Sequence, residues 1–122
     1  MKKTKASLPH YVDNKKLYGA MIHYINEYNR AKSEETPLPK IPEYIGECIL
    51  KIATKLSFKS NFISYTYKEE MIGDGIENCI AYMHNFNPDK SNNPFAYFTM
   101  IIYNAFLHRI AKEHKQTYVK YK

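Results

Sequence analysis

The sequence predicts an all-α fold, a small bundle of about four helices. Apolar residues recur at helical spacing in four separate stretches. Segments rich in proline and asparagine divide those stretches. No stretch calls for strand alternation, and there is no internal repeat. The chain has 122 residues, enough for one domain with its own core. Its 44% hydrophobic and 25% charged content is ordinary for a globular protein and unlike a disordered tail. No apolar run approaches the roughly 18–20 residues of a membrane span.

The first helix is predicted from about Asn14 to Arg30, with Leu17, Met21, Tyr24, Ile25 and Tyr28 on one face and Asp13 or Asn14 as its cap. Lys32 to Pro42 holds Pro37, Pro39 and Pro42 and reads as a loop. Pro42 opens a second helix that runs to about Ser57, with Ile45, Ile49, Ile52, Ala53 and Leu56 facing inward. Residues 58–65 are an irregular connection. Thr66-Tyr67-Lys68-Glu69 has the form of a capping box. Behind it Ile72, Ile76, Cys79, Ile80 and Met83 give a third helix its apolar face. Asn87 to Asn93 is a turn. Asn93-Pro94 then starts a long last helix, asparagine as cap and proline in the first position. Its inward stripe is Phe95, Phe98, Ile102, Phe106 and Ile110.

Charge divides the chain. Residues 1–16 carry five positive and one negative charge, and residues 109–122 carry the same; residues 17–108 carry eight positive and ten negative, which completes the net +6. Basic ends on a slightly acidic body suit contact with a polyanion, although basic termini also serve solubility. The organisation expected is a basic tail over 1–13, a helical domain over 14–115 and a basic extension over 116–122. Met1 to Pro9 is basic and then polar, unlike a secretory signal. Cys48 and Cys79, set in apolar helical patterns, are expected as buried thiols in a reducing cytosol.

Two stripes stand out. On the third helix Glu70, Asp74 and Glu77 lie along one face with no lysine or arginine among them. Like charges at this spacing cost about 0.2–0.5 kcal/mol per pair. Gly73 and Gly75 in the same helix each cost about 1 kcal/mol against alanine. A basic partner would relieve the charge, and the glycines would admit its backbone. The plainer reading is a solvated acidic face near a helix start, where the macrodipole favours Glu69 and Glu70. On the last helix Tyr97, then Met100 or Ile101, then Asn104, His108, Lys112 and Lys115 follow one another at three- and four-residue steps, away from the expected core face. Rings beside amines suit unstacked bases, each stacked base being worth about 1–3 kcal/mol. An amide such as Asn104 reads base edges, and lysines hold phosphates. The plainer reading packs Tyr97 on a neighbouring helix and leaves the lysines in solvent.

Catalysis finds no foothold. His10 and His23 have no partner at ligand spacing. His108 and His114, six apart, do not share a helix face, so neither a metal nor another cofactor is expected. His84 reads as a partner for a helix dipole. There is no glycine-rich phosphate loop and no nucleophile elbow, so the protein is not expected to be an enzyme.

Residues 70–86, Glu-Met-Ile-Gly-Asp-Gly-Ile-Glu-Asn-Cys-Ile-Ala-Tyr-Met-His-Asn-Phe, with Asn87-Pro88-Asp89 and Phe95-Ala96-Tyr97-Phe98-Thr99 after them, resemble conserved region 2 of bacterial sigma factors. Over essentially its whole length the chain is similar to the late-transcription sigma factors of T4-type bacteriophages. That closer likeness is carried by Tyr11-Val12-Asp13-Asn14-Lys15-Lys16-Leu17, Asn85-Phe86, Asn93-Pro94-Phe95-Ala96-Tyr97 and Asn104-Ala105-Phe106.

The resemblance implies a sigma region 2-like bundle acting in the cytoplasm of an infected bacterial host. Its acidic helix would dock on the β′ clamp helices of RNA polymerase core through Glu70, Gly73, Asp74, Glu77 and Ile80. The last helix would open and read the −10-type element of late promoters. Tyr97 would stack a flipped base, Asn104 would face the upstream end of the element, and Arg109, Lys112 and Lys115 would meet the backbone. Met100 and Ile101 stand where primary sigma factors carry a tryptophan pair, and Tyr103 replaces a usual basic residue, which implies weaker intrinsic melting. The family also engages the phage sliding clamp and a late co-activator, contacts the resemblance assigns to segments outside these residues. Two other roles fit the residues. One is a helical adaptor that binds host polymerase or another host protein without reading DNA. The other is a free-standing helical DNA-binding domain.

Overall fold

The computed structural model describes residues 11–59, 62 and 66–120, with side chains as far as Glu113. It is all-helical among those residues: α1 (Asn14–Glu34), α2 (Glu43–Leu56), α3 (Lys68–Tyr82), a 3₁₀ turn (Met83–Asn85) and α4 (Pro94–Lys120). No described helix is long and apolar enough to cross a membrane. The 1–13 tail lies outside the described residues except for Tyr11 to Asp13. The 115/116 boundary is not an element boundary, because α4 continues through it to Lys120.

Asp13 caps α1, its side chain accepting from the Lys16 amide at 3.2 Å. The helix runs four residues past Arg30, into the segment expected as loop. It stops at Glu35, which takes the left-handed conformation at φ 57° while the Thr36 amide reaches back to the Ala31 carbonyl at 2.9 Å. That geometry satisfies the last carbonyls without a glycine. α2 has no side-chain cap. Burial holds it instead: Ile45, Ile49 and Ile52 are almost fully enclosed. Each contributes roughly 1.5–3 kcal/mol, against about 1 for a cap.

α3 departs from expectation in two ways. Thr66 forms no capping box; Tyr67 is the residue before the first turn, with no side-chain cap bond. The buried line is Met71, Gly75, Cys79 and then Met83, at strict four-residue steps. Ile72 and Ile76 only flank the core, and Ile80 is 46% exposed. A glycine sits in the middle of the closest line of contact, which is why counting apolar side chains misplaces the face by one residue. A Cβ on Gly75 would lie 3.0 Å from Ile102 Cγ2 and 3.1 Å from Phe106 Cε1. The glycine lets this chain's own α4 come close, in place of the foreign backbone expected. Both cysteines are free and buried, and burial pushes the Cys79 thiol up to about 12.

The Asn87–Asn93 turn forms as expected, with Asn87 Oδ1 accepting from the Asp89 amide at 2.9 Å. Asn93 then caps α4 by accepting from the Ala96 amide at 3.0 Å. Asn14 ties that end to α1, since its side-chain oxygen accepts from the Phe95 amide and its amide nitrogen donates to Asn93 Oδ1, both at 3.0 Å. Phe98, Ile102, Ala105 and Phe106 bury the inner face of α4, with Phe95 and Ile110 packed at its edges. Phe62, from the connection before α3, closes the core by meeting Phe106 edge-on at 5.2 Å. His84 lies in the last turn of the 3₁₀ segment, and its ring also stacks on Tyr28 with centroids 4.9 Å apart.

Candidate functional site

α3 and α4 form the most extensive helix pairing of the fold. The two predicted stripes therefore lie on neighbouring elements. Along the outer face of α3, Glu70, Gly73, Glu77 and Ile80 are exposed. Among the described residues neither Glu70 nor Glu77 forms an ion pair. A Cβ at Gly73 would meet nothing within 4 Å. This part of the acidic stripe is open to an external partner.

Asp74 is different. It was expected to be uncompensated, yet its carboxylate accepts from Arg109 Nε at 2.7 Å and from Arg109 Nη2 at 3.2 Å. Arg109 also donates through Nη1 to Glu113 at 2.9 Å, one turn further along α4. The two parallel bonds to Asp74 match the fork of a guanidinium to a carboxylate. These hydrogen bonds raise the Arg109 pKa above its already high ordinary value. The Asp74 and Arg109 side chains are 31% and 21% exposed, so the pair sits at the rim of the helix interface. An acid assigned to one partner and a base assigned to another are bonded to each other.

Between the helices runs a groove of about 370 Å³ lined by Asp74, Asn78, Tyr82, Ile101, Asn104, Ala105 and His108. Asn104 and His108, expected on the DNA side, reach it from α4, and both are exposed. Met100 is 61% exposed beside Ile101, and Lys112 is exposed beyond. Lys115 is on α4, but its side chain lies outside the described residues.

Tyr97 is not a free platform. Its hydroxyl donates to the Tyr82 carbonyl at 2.7 Å, satisfying one of the open carbonyls at the end of α3. Its ring tilts against Phe86 and Phe98, with centroids 5.2 and 5.7 Å away. Burial raises its phenol above the ordinary value. The expectation that this ring faces away from the core is corrected: Tyr97 packs on the core's edge and Ile101 beside it does the same.

Three residues of the site escaped sequence reasoning. Asn78 and Tyr82 continue from Asp74 at four-residue steps and line the groove, while Tyr82 is 52% exposed. Glu113 is the second holder of Arg109. The signal was available in the spacing 74, 78, 82 and in the four-residue step from Arg109 to Glu113. The described residues contain no group of three histidine, cysteine or acidic side chains able to hold a metal. A scan against models of protein families matches none, and a search of curated proteins returns no match.

Proposed function

We propose that this protein is a sigma-type transcription initiation factor. It binds bacterial RNA polymerase core at the β′ clamp helices through α3 and directs it to the −10-type element of phage late promoters through α4. The observation that carries this reading is the exposed set Glu70, Gly73, Glu77 and Ile80. It offers carboxylates that form no ion pair among the described residues, an open glycine and an apolar side chain to a basic helical surface. The likeness to sigma region 2 over residues 67–115 supplies the identity of that surface. On α4, Met100, Asn104, His108 and Lys112 stand in solvent, in an order that suits a ring-bearing, phosphate-linked ligand. Chemistry belongs to the polymerase in this role.

The test is in vitro transcription. Purified core enzyme with this protein on a template bearing a late-type promoter is expected to give a discrete promoter-dependent transcript, and core alone none. Absence of any complex with core in a pull-down would reject the assignment.

The packing of Tyr97 favours a second reading. A ring whose hydroxyl is bonded to the Tyr82 carbonyl is less available to a flipped base. An adaptor that binds host polymerase without reading DNA needs no such ring. That adaptor predicts core binding with no sequence preference for single-stranded non-template −10 DNA.

A further inference from the structure

Asp74 belongs to the face proposed for a basic protein surface, and Arg109 to the face proposed for phosphates. In the free protein each is occupied by the other, through two hydrogen bonds of 2.7 and 3.2 Å. Glu113 adds a second carboxylate to the same guanidinium at 2.9 Å. Two negative groups around one positive group leave this corner of the molecule net anionic. A phosphate approaching Arg109 therefore meets repulsion, and Asp74 also lines the groove that holds Asn104 and His108.

We propose that the Asp74–Arg109 pair is a latch that couples the two faces: a cationic partner that docks on α3 takes the Asp74 carboxylate and so releases Arg109 to bind a nucleic-acid phosphate. Rim exposure of both side chains makes the exchange possible without opening the core. Asp74 trades one cation for another, so its charge is never left uncompensated. Arg109 keeps Glu113, which holds the guanidinium on α4 while removing its net attraction to the α3 side. Once Asp74 is satisfied elsewhere, Arg109 and Glu113 balance, and the anionic corner is gone. The coupling is reciprocal: a phosphate on Arg109 must free Asp74 and so strengthen docking on α3. The latch rests on the proposed function for the identity of its two ligands, but it can be tested without polymerase.

The probe is a fluorescently labelled, mixed-sequence single-stranded oligonucleotide titrated with the full chain at low salt. Asp74→Asn removes the holding charge and is expected to bind about five- to tenfold more tightly than the wild type. Asp74→Asn combined with Arg109→Gln is expected to lose that gain, because the gain belongs to the freed guanidinium. No gain in Asp74→Asn, a gain that survives in the double variant, or an equal gain from Glu77→Gln, which raises the net charge by the same amount at an exposed residue outside the Arg109 pair, overturns the latch; the last result would mean that only bulk charge had changed. Circular dichroism melts confirm that the variants are folded. If Asp74→Asn is not folded, Glu113→Gln, which leaves α3 untouched, is expected to give a smaller gain that again disappears with Arg109→Gln. Absence of that gain overturns the latch as well. A pull-down of the wild type on core polymerase, run in parallel, tests the sigma-type role separately. Core binding with no Asp74→Asn gain rejects the latch alone, and the gain without core binding rejects the sigma-type role alone.

Discussion

Asp74 and Glu77 lie three residues apart on the same helix, yet a lysine at each has a different meaning. Glu77 is exposed and without an ion pair among the described residues, so Glu77→Lys changes the surface and leaves the fold alone. Asp74→Lys puts an ammonium against Arg109 and leaves Glu113 as the one carboxylate among the described residues bonded to that guanidinium. Glu77→Lys is therefore expected to weaken core binding at least tenfold, the effect of losing about 1.4 kcal/mol at a protein interface, with no change in melting temperature. Asp74→Lys is expected to weaken core binding and also to lower the melting temperature. Pull-downs beside thermal melts separate the two. A similar distinction applies to Tyr97. Tyr97→Phe keeps the ring and loses the bond to the Tyr82 carbonyl, a loss of about 1 kcal/mol. Tyr97→Ala also removes the contacts to Phe86 and Phe98, and about 2–3 kcal/mol is expected for a half-buried ring. If the ring captures a base, promoter opening measured per bound polymerase survives in Tyr97→Phe and fails in Tyr97→Ala. Equal loss of opening and of core binding would reduce Tyr97 to a packing residue.

At the scale of the helix, α3 shows what patterning reveals and what it hides. The helix was legible from its spacing, and so were its acidic stripe and the turn that follows it. Its rotation was not, because the closest approach to α4 runs through Gly75, where there is no side chain to count. The position before its first turn was read one residue early. Thr66 and Glu69 satisfy the capping pattern, but the helix begins at Lys68 with Tyr67 before it, one residue later than that pattern places it. The bond from Arg109 to Asp74 joins residues thirty-five apart, and periodicity within one helix carries no information about such a pair. By contrast, the start of α4 was fully legible, since asparagine followed by proline acts locally. The two glycines give opposite predictions. Gly73→Ala gains about 0.5–1 kcal/mol of helix propensity and meets nothing within 4 Å, so it raises the melting temperature. Gly75→Ala gains the same propensity but drives a methyl against Ile102, whose branched side chain is fixed at χ1 and fully buried. Overpacking costs about 1–3 kcal/mol and wins, so the melting temperature falls. In a sigma-type role Gly73→Ala also weakens core binding while stabilising the fold. That opposition, read from paired melts and pull-downs, marks an open glycine kept for a partner.

Across the whole molecule, one helix serves both the core and a ligand. α4 buries Phe98, Ile102 and Phe106 in its first half and then continues to Lys120 past Ile110, the last of the described side chains on this helix that packs against the core. Beyond that point the helix carries Lys112, Lys115 and Lys120 in its sequence. Of the basic excess at this end, five positive charges against one over residues 109–122, Arg109 is bonded to Asp74 on α3, while Lys112 is exposed. A basic helix end adds affinity for single-stranded DNA by releasing counterions, and its contribution is read from salt dependence and not from a single affinity. For the complex with core polymerase on a late-type promoter, each phosphate-bound lysine contributes about 0.7 to the slope of log K against log salt concentration. Replacing Lys112 and Lys115 together by glutamine is expected to flatten that slope by about 1.4 and to weaken binding on every sequence alike, since phosphate contacts carry no sequence information. Replacing Asn104 by alanine should do the reverse, leaving the slope intact and narrowing the gap between promoter and non-promoter DNA. An unchanged slope in the lysine variant would place the end of α4 in solvent or against polymerase, and the reading of DNA would then rest on the groove between α3 and α4 alone.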